Sequence, residues 1–163
     1  MRENPANNQQ LIAKWKAQLA PATLAKSDLS QGRAVFNLAC AVCHTLYGEG
    51  GKIGPDLSGA GRDNLDYLLE NIIDPSAMVP ADFKVTVVSL KDGRVFNGVV
   101  MSQNARTLTL KIMNGTVTLE KGEIEETRPS ELSLMPEGLL EAWPLDQIRD
   151  LIGYLQHPTQ VEP

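Results

Sequence analysis

Cys40-Ala41-Val42-Cys43-His44 is the stretch on which the reading of this chain turns. Positions i, i+3 and i+4 of a helical turn lie on one face, so the two thiols and the imidazole point the same way. Thiols so spaced can reach the two vinyl groups of one porphyrin edge, and His44 can then present its ring to the iron. Cys-x-x-Cys-His is the signature of covalent c-type haem attachment. The chain has two cysteines and two histidines in 163 residues, so a chance match has a probability of about 3 in 10,000. Three other chemistries use the same cysteine pair. A thioredoxin-like dithiol wants a βαβ context with the motif at a helix start, whereas here the motif ends a helical stretch. A structural zinc needs four ligands, and only His157 remains outside the motif. A plain disulfide leaves His44 without a role. One haem c with its iron is the expectation.

Upstream, Asp28 is placed to cap a helix that runs through Val35 and Phe36 into Cys40, with Gln31 three residues after the cap. Before it, Leu11, Ile12, Trp15 and Leu19 recur at helical spacing and predict a short helix stopped by Pro21, while residues 1–10 are polar and expected to fray. Downstream, Gly48 to Gly61 is glycine-rich and reads as loop. Leu65, Leu68, Leu69 and Ile72 then mark a helix from about Asn64 to Ile73, ended by Asp74-Pro75. From Phe83 to about Thr127 the period changes to that of strands, through Val85, Val87, Val95, Val99, Leu108, Leu110, Ile112, Val117 and Leu119. Asp92-Gly93 and Asn114-Gly115 are hairpin signals, since both central residues of such turns tolerate positive φ. Four or five short strands must close or stack to bury a face, which predicts a small barrel. A helix returns with Pro144 at its first position, on the apolar face Leu145, Ile148, Leu151, Ile152 and Leu155. The order predicts an all-β unit, residues 82–128, inserted into an all-α host of residues 28–80 and 129–157. Residues 1–27 precede it, and 158–163 form a tail.

Net charge is −5, with no basic face to read, which argues against nucleic-acid binding and for a redox partner with a basic patch. No apolar run approaches the roughly 20 residues of a membrane span. The polar start Met1-Arg2-Glu3-Asn4-Pro5 lacks a secretory core. Haem is attached to this motif outside the bacterial cytoplasm, so the expectation is a piece of a longer periplasmic or otherwise exported protein.

Beyond the motif the chain resembles class I cytochrome c. Gly32 and Phe36 stand eight and four residues before Cys40, where that family packs its N-terminal helix, and Asp150-Leu151-Ile152-Gly153-Tyr154-Leu155 resembles the C-terminal helix that meets it. Gly54-Pro55-Asp56-Leu57 resembles the loop after the motif. The resemblance implies that the Pro55 carbonyl accepts from the haem histidine, that Leu57 packs on the haem, and that Leu68 and Leu69 face it. It also implies that Arg62, one residue early, approaches a propionate. From about Asp28 onward the arrangement is similar to the haem-binding domain of the Pirellula/Verrucomicrobium type. The implied fold is a mainly α cytochrome c with an inserted, barrel-like all-β subdomain. Within it, Leu90-Lys91-Asp92-Gly93-Arg94 and Gly98 resemble the bent strands of Sm-like or SH3-like barrels, without implying RNA binding. The type implies a dehydrogenase-like donor upstream and a further electron acceptor downstream.

For the sixth iron ligand, His157 reads as a solvated tail residue, and Met101 and Met113 in the strand block as core filler. Ser133-Leu134-Met135-Pro136-Glu137-Gly138 resembles the family's methionine loop, which favours Met135 over Met78 in Pro75-Ser76-Ala77-Met78-Val79-Pro80. His44 and Met135 are thus the expected iron ligands, a pairing that raises the potential. Tyr67 could approach the haem or line its helix, Tyr154 reads as core, and Glu123, Glu125 and Glu126 as a solvated strand edge. The function expected is single-electron transfer without catalysis. The alternatives are a haem enzyme or sensor with an open sixth site, and a partner-binding module with structural haem.

Overall fold

The computed structural model describes residues 5–163. Five helices, α1 (Pro5–Gln18), α2 (Pro21–Leu24), α3 (Leu29–Ala39), α4 (Leu65–Ile73) and α5 (Leu145–Gln156), accompany seven strands. A two-residue hairpin, β1 (Thr45–Leu46) and β2 (Glu49–Gly50), follows the cysteine motif. The remaining strands are β3 (Val85–Leu90), β4 (Val95–Gln103), β5 (Thr107–Ile112), β6 (Gly115–Glu120) and β7 (Ile124–Pro129).

α3 starts where its cap allows: the Asp28 carboxylate accepts from the Gln31 amide at 3.1 Å, and Asn64 does the same for Tyr67 at the head of α4. α3 and α5 cross at Gly32, where a Cβ would lie 2.0 Å from the Asp150 carbonyl oxygen and 2.7 Å from the Tyr154 Cβ. No side chain larger than hydrogen fits between the two backbones. The Asp28 amide donates to the buried Asp150 carboxylate at 2.9 Å, which Arg149 also neutralises at 2.7 Å. Around this crossing Phe36, Leu69, Ile148, Leu151, Ile152 and Tyr154 form the main core, and the Tyr154 ring stands edge-on to Tyr47 at 5.7 Å.

The strands form one open antiparallel sheet in the order β6-β5-β4-β3-β7. This corrects the expected architecture. No barrel closes, and with 38% helix and 23% strand the fold is not mainly α. Closure would require β6 to pair with β7, but β7 presents exposed Glu125, Glu126 and Arg128 and ends in Pro129, which has no amide hydrogen to donate. One face of the sheet still builds a core of its own from Val88, Leu90, Leu108, Leu110 and Leu119. Both hairpins form where the sequence signals them, yet neither turn holds two residues at positive φ. Only Gly93 (φ 92°) does so in the first and only Gly115 (φ 135°) in the second, whose loop is Met113-Asn114. Met101 and Met113 are exposed rather than core filler, Met101 because a register shift between Val100 and Ser102 leaves it unpaired.

Three other expectations shift. Residues 5–10 are helical, because Pro5 opens α1 and the buried Asn8 finds a partner 129 residues away. Pro21 starts the one-turn α2 as well as ending what precedes it. Pro144 is the N-cap of α5 and not its first helical residue. The start of the expected frayed segment, residues 1–4, lies outside the described residues. Among those described, no helix is long and apolar enough to cross a membrane.

Candidate haem-attachment site

Cys40 is the C-cap of α3, its amide donating to the Phe36 carbonyl at 2.8 Å. The chain then makes one further turn, in which the Cys43 and His44 amides both donate to the Cys40 carbonyl, at 3.1 and 3.0 Å. That turn carries both thiols and the imidazole. The segment after it folds back: the Gly54 amide donates to the Cys43 carbonyl at 2.7 Å, and the Leu57 amide to that of Thr45 at 2.8 Å. This return brings Pro55 to His44, whose Nδ1 donates to the Pro55 carbonyl at 2.8 Å. The bond fixes the tautomer and leaves Nε2 unprotonated, the form in which a ring nitrogen can take a metal. Gly54 makes the approach possible, since a Cβ there would stand 2.7 Å from the His44 Cε1.

The electrostatics of the thiols oppose thiol redox chemistry. Burial, and secondarily repulsion from Cys43, pushes Cys40 up to about 12, and burial raises Cys43 as well. A dithiol oxidoreductase needs a depressed thiol pKa, commonly supplied by a helix N-terminus, whereas this pair follows a C-terminus. Cys40 and Cys43 are not joined in a disulfide, and among the described residues no group of three or more His, Cys, Asp and Glu could hold a metal ion.

Leu69 is fully buried and Leu68 nearly so in the main core, against which Leu57 is packed. Arg62 Nη1 donates to the Leu155 carbonyl at 2.6 Å, the His157 carbonyl at 3.0 Å and the Tyr47 hydroxyl at 3.1 Å, so it caps the end of α5. Arg62 Nε is buried without a partner, the one such side-chain atom found among the described residues. An anionic group beside it would satisfy that donor. Tyr47 is a site residue that the sequence reading missed. It sits at φ 53° in the β1–β2 turn, and its hydroxyl donates to the carbonyls of Tyr154 and His157. Nothing local marks a tyrosine for such a turn.

Of the methionines, Met78 is 79% exposed, while Met135 is half-buried, its amide held by the Ser133 hydroxyl at 3.1 Å. The Ser133 amide in turn donates to the Ser76 hydroxyl at 3.0 Å. Tyr67 is 42% exposed on α4, and Tyr154 is core. His157 is half-buried at the C-cap of α5, with its Nδ1 on the Thr159 carbonyl.

One turn thus carries a cysteine pair and a histidine that is held through Nδ1 and open at Nε2, a donor set that fits covalent haem attachment. Residues 29–94 match the family model of cytochrome c, which supports haem-based electron transfer with covalently bound haem c and its iron. The match covers less than half of the chain, ending inside the β3–β4 hairpin and short of Met135 and α5. No curated protein matches the chain.

Proposed function

We propose that this chain is a monohaem c-type electron-transfer domain. The observation that carries the reading is the His44 Nδ1–Pro55 hydrogen bond at 2.8 Å, made on the turn that also carries Cys40 and Cys43. The two thiols would bind the haem covalently, and His44 would take the iron through Nε2. Bound there, the haem supplies a one-electron Fe(III)/Fe(II) couple. The chain's own residues set its conditions. Pro55 keeps the proton on Nδ1 and so fixes the donor strength of the ring. Leu57, Leu68 and Leu69 supply apolar surface that keeps water away, and Arg62 Nε offers a buried donor to a negative group.

Met135 is the sixth ligand in this reading. It is half-buried in a hydrogen-bonded loop, whereas Met78 points a soft thioether into water. His/Met ligation gives a high potential suited to accepting electrons. The wider context belongs to the same reading: an exported protein of the Pirellula/Verrucomicrobium type, in which a dehydrogenase-like unit donates electrons and a separate carrier accepts them. Residues 82–128 form an inserted β unit in it.

The chain should be matured in a host competent for haem ligation. Mass spectrometry should then find one haem mass that survives denaturation, and Cys40→Ala together with Cys43→Ala should abolish it. The ferric protein should show the weak far-red band of a Met–Fe(III) bond, lost in Met135→Ala and kept in Met78→Ala. A colourless protein with both thiols free would end the proposal.

A further inference from the structure

α1 lies across the helical part like a bar fixed at both ends. At one end the Lys16 ammonium meets the Asp66 carboxylate, in the first turn of α4, at 2.8 Å. At the other end the Asn8 carboxamide, only 5% exposed, donates to the Glu137 carboxylate at 3.1 Å. Between them Leu11, Ile12 and Trp15 pack against the main core. Asn8, Leu11, Ile12, Trp15 and Leu19 follow the i, i+3/i+4 spacing of one helix face, so a polar residue stands at one end of an otherwise apolar stripe.

The partner of Asn8 matters because of its neighbours. Glu137 is two residues after Met135, and Gly138, at φ 81°, then turns the chain into a 3-10 helix, Leu139–Ala142. Beneath this segment there is a cavity of about 730 Å³ between α1 and the end of α4, with Trp15, Ile73, Glu137 and Trp143 in its walls. Glu137 therefore stands over space on that side, without continuous packing beneath it. The Asn8–Glu137 bond spans the rim of that space. A buried carboxamide that lost this acceptor would pay its full desolvation cost, so the bond holds α1 and the loop together from both directions.

We infer that α1 is a strap that keeps the Met135 loop in place, with Asn8 as its clasp. This rests on the assignment of Met135 as sixth ligand. Asn8 is a positioning residue here: it acts through Glu137 on how readily the loop swings out and the thioether is displaced. The strap is also outside the part of the chain that matches cytochrome c, since that match begins at residue 29.

The test uses the haem-loaded protein and added imidazole, which competes with a methionine ligand for ferric iron. Asn8→Ala should keep the far-red band in buffer but bind imidazole about tenfold more tightly, and amide exchange across residues 134–140 should accelerate. Asn8→Asp, which sets a carboxylate against Glu137, should go further. Glu137→Gln keeps the acceptor oxygen and should behave as the parent. Lys16→Ala cuts the other tether and should leave imidazole affinity unchanged, which separates the clasp from general loosening of α1. Equal imidazole affinity and equal exchange in Asn8→Ala and the parent would overturn the strap. If the band is missing from the parent, or survives Met135→Ala, the ligand assignment fails instead, and exchange across residues 134–140 still judges the strap.

Discussion

Gly54→Ala is the sharpest probe of the site, because its cost can be worked from two distances. The new Cβ would lie 2.7 Å from the His44 Cε1. Carbon atoms settle at about 3.5 Å or more, so the ring and the loop must separate by about 0.8 Å. Added to the present Nδ1 to Pro55 distance of 2.8 Å, that gives about 3.6 Å, beyond a hydrogen bond. A free histidine ring could rotate out of the way, but one pinned by iron at Nε2 cannot, so the loop has to yield. The lost bond is worth about 0.5–1.5 kcal/mol net. It makes the imidazole a stronger donor and so favours ferric iron, and losing it should raise the potential. One tenfold change in a one-electron equilibrium is 59 mV, so a bond felt by the ferric state alone gives an upper bound on the rise of about 20–65 mV. Spectroelectrochemical titration of the haem-loaded variant measures it, and urea unfolding followed in the Soret region should show a matching loss of stability. An unchanged potential with an unchanged unfolding midpoint would mean that the His44–Pro55 geometry is not that of the haem-bound protein.

Other outcomes follow from the same structure. Gly32→Ala puts a Cβ 2.0 Å from a backbone oxygen that cannot rotate away. Even with the better helix propensity of alanine it should cost about 2 kcal/mol, seen by calorimetry as a Tm lower by about 4–8 °C. Arg62→Ala removes the Nη1 donor that the Leu155 and His157 carbonyls and the Tyr47 hydroxyl share. It should lower stability by about 1–3 kcal/mol in urea titrations, since part-buried acceptors at the end of α5 lose a charged partner. Burial holds the Tyr154 hydroxyl above its ordinary 10.0. Its neutral form therefore adds stability below pH 10 that is lost as pH rises through the folded value, and the fall in urea midpoint above pH 10 should be shallower in Tyr154→Phe.

What could be read in advance was what depends on near neighbours. The motif, the Asp28 cap and the alternation of the strands are each set within a few residues, and each stands in the structure where the sequence places it. What could not be read depends on partners far along the chain. Whether the sheet closes is a question of how β6 meets β7, and the alternation of each strand is the same in an open sheet and in a barrel. Asn8 has no apolar pattern to announce a helix before Leu11, because its place is set by Glu137. Arg62 also meets the end of α5, and only the position of that helix decides which carbonyls its Nη1 reaches. Tyr47 takes a left-handed backbone that no tyrosine signals, held there by carbonyls more than a hundred residues later.

The crossing at Gly32 also sets an order of events during synthesis. At about 5–20 residues per second, α5 follows the cysteine motif off the ribosome by something like 5–20 seconds. In that interval α3 has been made but lacks the helix that buries it, while all five strands of the large sheet are complete and can pair among themselves. Sequence-distant pairing of this kind slows folding, and here the partner that Gly32 and Phe36 need is the last helix to be made.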